Sequence, residues 1–292
     1  MSEPGVFVVG SLGQLGSDLC ALLPSAAGAD LPDIDITDPA SVASVLAAAS
    51  PDIIVNCAAF TDVDACETEL DAATRVNVDG PRNLADYAES HGARMIHVST
   101  DYVFDGQRDI PRPYLESDEP APSSAYGRTK LAGERAAAAA HEALIIVRTA
   151  WLYGRNGHNF LKTILRAATK DPSRALTVID DQHGCPTWSY RLAEQINELI
   201  RAGGPGIYHA TGEESCTWYM LAKTFLELMD VPHAINPCTT EAYPLPAERP
   251  ANSILENSRL KEDGIHTMRP WREDLEEFVQ RYRDELIAEV DR

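Results

Sequence analysis

Four stretches in the first half of the chain are apolar almost without interruption: GVFVVG (5–10), DIIVNCAA (52–59), RMIHVST (94–100) and ALIIVRTA (143–150). A strand with one wet face alternates polar and apolar residues, so continuous runs of this length predict strands covered on both faces. Between them lie QLGSDLCALL, DPASVASVLAAA, AATRVNVDGPRNLADYAESHG and AYGRTKLAGERAAAAAHE, whose length and composition predict helices. Strand and helix in regular alternation predict an α/β fold, a doubly wound, Rossmann-like parallel sheet. After about residue 150 the rhythm breaks. Helical stretches near 159–170, 189–202, 215–229 and 272–290 are separated by proline-rich loops such as NPCTTEAYPLPAERPANS, which predicts a smaller C-terminal lobe over 151–292. GIYHATG (206–212) reads as one more strand that rejoins the sheet of residues 1–150.

Composition narrows the function. The chain has 292 residues, 44% of them apolar and 24% charged, enough for a full core. Its formal charge of −20 repels phosphate backbones and anionic membrane surfaces, so neither nucleic acid nor a membrane is an expected partner. No apolar run approaches the ~18 residues of a membrane span, and MSEPGVFVVG does not read as a cleavable leader, so the expected location is the cytoplasm. Six cysteines are scattered without a Cys-x-x-Cys pair, as expected of reduced thiols rather than a metal or disulfide framework.

The first candidate chemistry sits at the first turn. In VFVVGSLGQLG, Gly10, Gly13 and Gly16 follow the first strand and open a helix. Glycines there permit a tight turn and let backbone N–H groups reach a pyrophosphate at the positive end of the helix. This placement predicts that residues 1–150 bind a dinucleotide. Asp30 falls where a second strand ends and where a carboxylate can accept from ribose hydroxyls; a shift of register would give that part to Asp33 or Asp35. The third run ends in NCAAF, where Ala58 and Ala59 leave room for a nucleotide.

The second candidate is a polar triple. Thr100 and Asp101 end the fourth run in HVSTDYVFDG, and Tyr126 stands four residues before Lys130 in SAYGRTK, on one face of a helix. Strand ends line the ligand crevice of an open parallel sheet, so Thr100, Tyr126 and Lys130 suit carbonyl reduction there. A hydride arrives from a nicotinamide, the tyrosine supplies a proton, the ammonium favours the phenolate, and the threonine steadies the oxygen. At the cofactor's other end, Asp30 opposes a ribose 2′-phosphate and ADLPDID offers no arginine to receive one. Unless Arg75 or Arg82 folds into the site, NADH is expected to serve at least as well as NADPH.

The glycine turn, NCAAFTDVDACE, STDYVFDG, YGRTK, RTAWLYG, DQHGCPTW and RPANSIL together resemble the dTDP-4-dehydrorhamnose reductase family, extended short-chain dehydrogenases/reductases, from Val6 to about Leu275. The resemblance implies reduction of dTDP-4-dehydro-β-L-rhamnose at C4 by NADH or NADPH, with Tyr126 as proton donor and Lys130 holding the nicotinamide ribose. It further implies that Gly13, Gln14, Leu15, Asp30, Asp35, Ile36, Ala58, Ala59 and Phe60 contact the cofactor. Thr100, Asp101 and Trp151 would face the sugar, Arg249 would hold the thymidine diphosphate, and the C-terminal lobe would bind the substrate. Some family members are described as magnesium-linked dimers using glutamates; Tyr190 stands at one of those places, so no metal is expected, and a homodimer is the partner class left open. The alternatives are a sugar-nucleotide dehydratase or epimerase, and a non-catalytic regulatory subunit like that of methionine adenosyltransferase. Related dehydratases carry a glutamate where this chain has Tyr102, and the intact Thr100, Tyr126 and Lys130 favour an enzyme.

Overall fold

The computed structural model describes residues 4–171 and 173–290. Its centre is a six-stranded sheet made of β1 (Val6–Val9), β2 (Ala27–Ala29), β3 (Ile53–Asn56), β4 (Arg94–Thr100), β5 (Ile145–Thr149) and, at the far edge, the strand Gly206–His209. Every pairing is parallel, in the order β2-β1-β3-β4-β5 and then Gly206–His209. Both faces are covered, which is why the runs do not alternate. Val6, Val8, Ile53, Val55, Ile96, Ile145 and Val147 face one layer, with Leu15 and Leu19 of α1 (Gln14–Leu22) and Leu192, Ile196 and Leu199 of the helix Ser189–Ala202. Their neighbours Phe7, Val9, Ile54, Met95 and Ile146 face the other, with Val42 and Leu46 of α2 (Pro39–Ala49), Leu84 of the helix Gly80–His91 and Ala137 of the helix Ala125–Ala140. Each fully buried aliphatic side chain contributes about 1.5–3 kcal/mol.

The short second strand has a steric reason for its weak pattern. It reads Ala-Gly-Ala, and a Cβ on Gly28 would lie 2.7 Å from Ser11 Cβ and 3.1 Å from Cys20 Sγ. Small residues let the glycine turn and α1 close over β2, at the expense of the β-branched signature that marks other strands. Asp30 follows β2 immediately.

A second body of helices, Phe160–Lys170, Trp218–Leu228 and Trp271–Val290, gathers around Trp188, Phe225, Trp271 and Phe278. The proline-rich segment contributes a strand, Ile235–Cys238, parallel to Leu176–Ile179. The helix Ser189–Ala202 lies on the sheet beside α1, because its apolar stripe continues the sheet's core. Two side chains of α1 reach the second body, Gln14 Oε1 accepting from Asn159 Nδ2 at 3.0 Å and Ser17 Oγ from Asn156 Nδ2 at 2.8 Å, and Asp18 Oδ2 accepts from Ser189 Oγ at 2.5 Å at the start of the neighbouring helix. Among the described residues no helix is long and apolar enough to cross a membrane. All six cysteines are free thiols.

Candidate active site

The chain leaves β1 for β2 on one side and β3 on the other, so a crevice opens above their carboxyl ends. There the structure has a cleft of about 900 Å³, reaching from the glycine turn across β3, β4 and β5 to the second body. Gly10 adopts φ +77°, a left-handed conformation that favours glycine, and a Cβ there would lie 2.8 Å from Ala58 N. At Gly16 a Cβ would meet Gly10 O at 2.1 Å. The backbone of Gly13 begins α1 without any side-chain cap, so the first N–H groups of that helix stay open to an anion. Gly10, Gly13, Gln14, Leu15, Asp30, Asp35, Ile36, Ala58 and Ala59 all line the cleft. This set fits a dinucleotide: a glycine cradle at the helix start, a carboxylate at the end of β2, and small residues after β3.

Asp30 is already engaged, its Oδ2 accepting from Leu12 N at 3.1 Å and its Oδ1 from Leu31 N at 2.8 Å. The carboxylate therefore stands at a set angle with lone pairs to spare. Asp35 is exposed and turned to Thr37, whose N–H and hydroxyl donate to it at 2.9 and 2.8 Å. Among the described residues the cleft is lined by one lysine, Lys130, and one arginine, Arg249; neither Arg75 nor Arg82 lines it.

Phe60 differs from its expected place. It does not line the cleft; its ring packs behind with Cys66, Ala73, Ala125 and Tyr126. Its backbone is instead held by Asn77, a buried residue absent from the sequence reading. Asn77 Oδ1 accepts from Phe60 N at 2.8 Å, while its Nδ2 donates to Phe60 O and to Thr129 Oγ1, both at 3.1 Å. Thr129 Oγ1 in turn donates to Tyr126 O at 2.9 Å. One amide thus joins the loop after β3 to the helix that carries Tyr126 and Lys130. The helix comes close enough because position 133 is glycine: a Cβ there would lie 1.9 Å from Asn77 O.

Thr100, Tyr126 and Lys130 come together above the end of β4. Ser124 caps the helix Ala125–Ala140, its hydroxyl accepting from Gly127 N, which starts the helix one residue before Tyr126. Lys130, 2% exposed, donates from Nζ to the Val98 carbonyl at 2.8 Å. Burial pushes its ammonium down to about 8, with Glu134 and Cys57 pulling the other way. The Tyr126 phenol is pushed up by burial and by the nearby Asp101, and the Thr100 hydroxyl beside it draws it down. Burial therefore outweighs the expected pull of the lysine, and the phenol keeps its proton.

Asp101 is 3% exposed, and burial raises its carboxyl to about 6 although the Thr100 hydroxyl donates to it at 3.0 Å. A folded-state value above the unfolded one stabilises the fold fully at low pH, and that contribution is lost as pH rises through 6. Asp101→Asn is therefore expected to gain stability relative to wild type between pH about 4 and 6, reaching about 3 kcal/mol above that window. Denaturant midpoints across this range check it; a constant difference would mean that Asp101 does not titrate there.

Thr149 of β5 pairs in register with Thr100, and Trp151 follows two residues on, at φ +47°. Its indole stacks on Trp218, with Phe160 against the far ring. Opposite, Arg249 Nη2 lies 2.9 Å from Asp64 Oδ2, and Asp64 Oδ1 accepts from Ala247 N at 3.0 Å. Although burial pushes the Asp64 carboxyl up, these partners bring it below its ordinary value. A diphosphate at Arg249 must share it with Asp64.

Residues 5–284 match the model of a family described as "RmlD substrate binding domain". The chain belongs to this family. A family relative in Streptomyces griseus, a dTDP-4-dehydrorhamnose reductase, is 41% identical over 94% of this chain and 93% of its own. A Streptomyces antibioticus protein named "probable dTDP-4,6-dihydroxy-2-methyloxan-3-one 4-ketoreductase" is also 41% identical, over 97% and 96%. The crystal structure of dTDP-4-dehydrorhamnose reductase from Bacillus anthracis in complex with NADP superposes with a TM-score of 0.92 at 37% identity, covering 96% of this chain and all of that one.

Proposed function

We infer that this chain is an oxidoreductase that reduces the C4 keto group of dTDP-4-dehydro-β-L-rhamnose to dTDP-L-rhamnose, with NADH or NADPH as cofactor. The observation that carries this reading is the meeting of Thr100, Tyr126 and Lys130 in the same cleft as the uncapped, glycine-lined start of α1. The two relatives named as a 4-ketoreductase and a dehydrorhamnose reductase support the sugar-nucleotide class.

In this reading residues 1–150, with the strand Gly206–His209, hold the cofactor, and residues 151–292 mainly serve the substrate. NAD(P)H, when bound, supplies a hydride to the C4 carbon. Tyr126, kept protonated by burial, gives its proton to the C4 oxygen while the Thr100 hydroxyl hydrogen-bonds that oxygen. Lys130 binds the nicotinamide ribose, and its charge favours the phenolate that forms as the proton leaves. Asp101 and Trp151 face the sugar, and Arg249 faces the diphosphate. The dehydratase reading lacks support from side chains: the place where a dehydratase glutamate would stand holds Tyr102, packed edge-on against Tyr126.

The test is purified protein with dTDP-4-dehydro-β-L-rhamnose and each reduced cofactor, followed by the loss of reduced-cofactor absorbance and by product identity. Absence of oxidation with both cofactors would overturn the reading. A second expected outcome concerns the cofactor itself. NADH is expected to serve at least as well as NADPH, because Asp30 opposes a 2′-phosphate and neither Arg75 nor Arg82 lines the cleft to receive one. Asp30→Ala should shift the ratio of kcat/KM values toward NADPH by roughly tenfold, a single unfavourable charge contact. A wild-type enzyme strongly favouring NADPH, or an unchanged ratio in the variant, would remove Asp30 as the selector.

A further inference from the structure

Trp151 and Trp218 form a stack with ring centroids 3.5 Å apart and planes within 8° of parallel, and both line the cleft. At van der Waals spacing such a centroid distance leaves almost no offset. Aromatic pairs prefer offset or edge-on arrangements with centroids farther apart, so the overlaid sandwich is the geometry that ring quadrupoles favour least. The pair is also awkwardly built. Trp151 holds φ +47°, a conformation that a bulky side chain rarely adopts and that recurs at ligand clamps. Trp218 opens the helix Trp218–Leu228, its backbone set by Thr217, whose Oγ1 accepts from Met220 N at 3.1 Å.

The position of the stack gives it meaning. Thr149 lies in register with Thr100, so Trp151 stands next to the reacting end of the cleft. On its pyrrole side, the Gly184 backbone comes so close that a Cβ would lie 2.4 Å from Cε2 and 2.5 Å from Nε1. A flat, apolar C–H face of a sugar ring can pack on an indole, yet one face of Trp151 is already covered by Trp218. A sugar that packs on the face Trp218 covers must displace it.

We propose that Trp218 is a place-holder in the sugar subsite: it covers Trp151 in the free enzyme and gives way when the sugar of the nucleotide substrate packs there. This rests on the proposed sugar-nucleotide function. The nucleotide moiety alone, held at the Arg249 end, leaves the stack closed. Closing the subsite lowers apparent affinity by the fraction of open form, and because Trp218 is out of the way in the productive complex, turnover does not depend on it.

Acrylamide quenching of tryptophan fluorescence tests this on the unmodified protein. The chain has four tryptophans, and Trp188 and Trp271 are each 1% exposed, so the quencher reports on Trp151 and Trp218. Titration with dTDP-L-rhamnose should raise the quenchable fraction as Trp218 leaves the stack. Thymidine diphosphate alone should leave it unchanged, and Trp218→Phe should remove the rise. In Trp218→Ala the KM for the keto sugar nucleotide should fall about three- to tenfold with kcat held. Quenching that decreases or stays constant on saturation with dTDP-L-rhamnose, or a KM that rises in Trp218→Ala, would make Trp218 a fixed wall and overturn the proposal. Calorimetric binding and cofactor oxidation run alongside separate the two readings: binding and turnover without stack opening overturn the place-holder alone, whereas failure of both overturns the function and the place-holder with it.

Discussion

Tyr126→Phe is expected to lower turnover by about 10²–10⁴-fold, the usual contribution of a positioned general acid, while leaving folding and cofactor affinity near wild type. The substitution removes one oxygen and keeps the ring, which packs with Phe60, Cys66, Ala73 and Ala125 and meets Tyr102 edge-on. The helix is started by Ser124 and tied down through Thr129 and Asn77, none of which depends on the phenol. Thr100 keeps its bond to Asp101 at 3.0 Å. The loss should therefore fall on the proton transfer. Single-turnover kinetics with the variant check it, and turnover within a few-fold of wild type would show that another group protonates the C4 oxygen.

Lys130→Met should produce a double defect, a weaker cofactor complex and a turnover reduced on the order of 100-fold, because one ammonium serves both ribose and phenol. Methionine fills a similar volume, so packing is retained. The pH dependence separates this role from a structural one. Burial pushes Lys130 down to about 8, whereas the Tyr126 phenol is pushed up. As pH rises through about 8, wild-type Lys130 loses its charge first, and kcat/KM should decline there because the phenolate has lost its counter-charge. In Lys130→Met that limb should be absent at the lower rate. Unchanged cofactor affinity would remove the ribose role, and a limb that survives the substitution would belong to another group.

Much of the architecture was legible along the chain because burial on two faces writes itself into sequence. β1, β3 and β5 read as apolar runs and β4 as one broken by His97 and Ser99, although the run at 52–59 yields a strand only over Ile53–Asn56. Beyond Asn56 the backbone turns, with Asn56 Oδ1 accepting from Ala58 N at 3.0 Å and Asn56 Nδ2 meeting His97 Nδ1 at 3.1 Å. β2 resisted the same reading because it is only Ala-Gly-Ala, and close approach to Ser11 and Cys20 demands glycine at position 28. Asn77 was illegible for a different reason. An asparagine inside a helical stretch resembles a poor helix former on a surface, and its purpose exists only once Gly133 brings another helix against it.

The doubly wound sheet, the glycine turn with Asp30 after β2, and a tyrosine and lysine on one helical face near the end of β4 are all written along the chain. Each depends on local order: which residues follow a strand, and how many lie in a turn of helix. Tertiary structure decided what those residues feel and touch. Pattern alone favoured a phenol eased toward its phenolate by Lys130, whereas desolvation raises Tyr126 and lowers Lys130. Nor could it show that Trp151 is covered by Trp218 or that Arg249 is shared with Asp64. Desolvation, ring contact and charge pairing depend on distance through space, and segments far apart in the chain acquire those distances only when both bodies have packed.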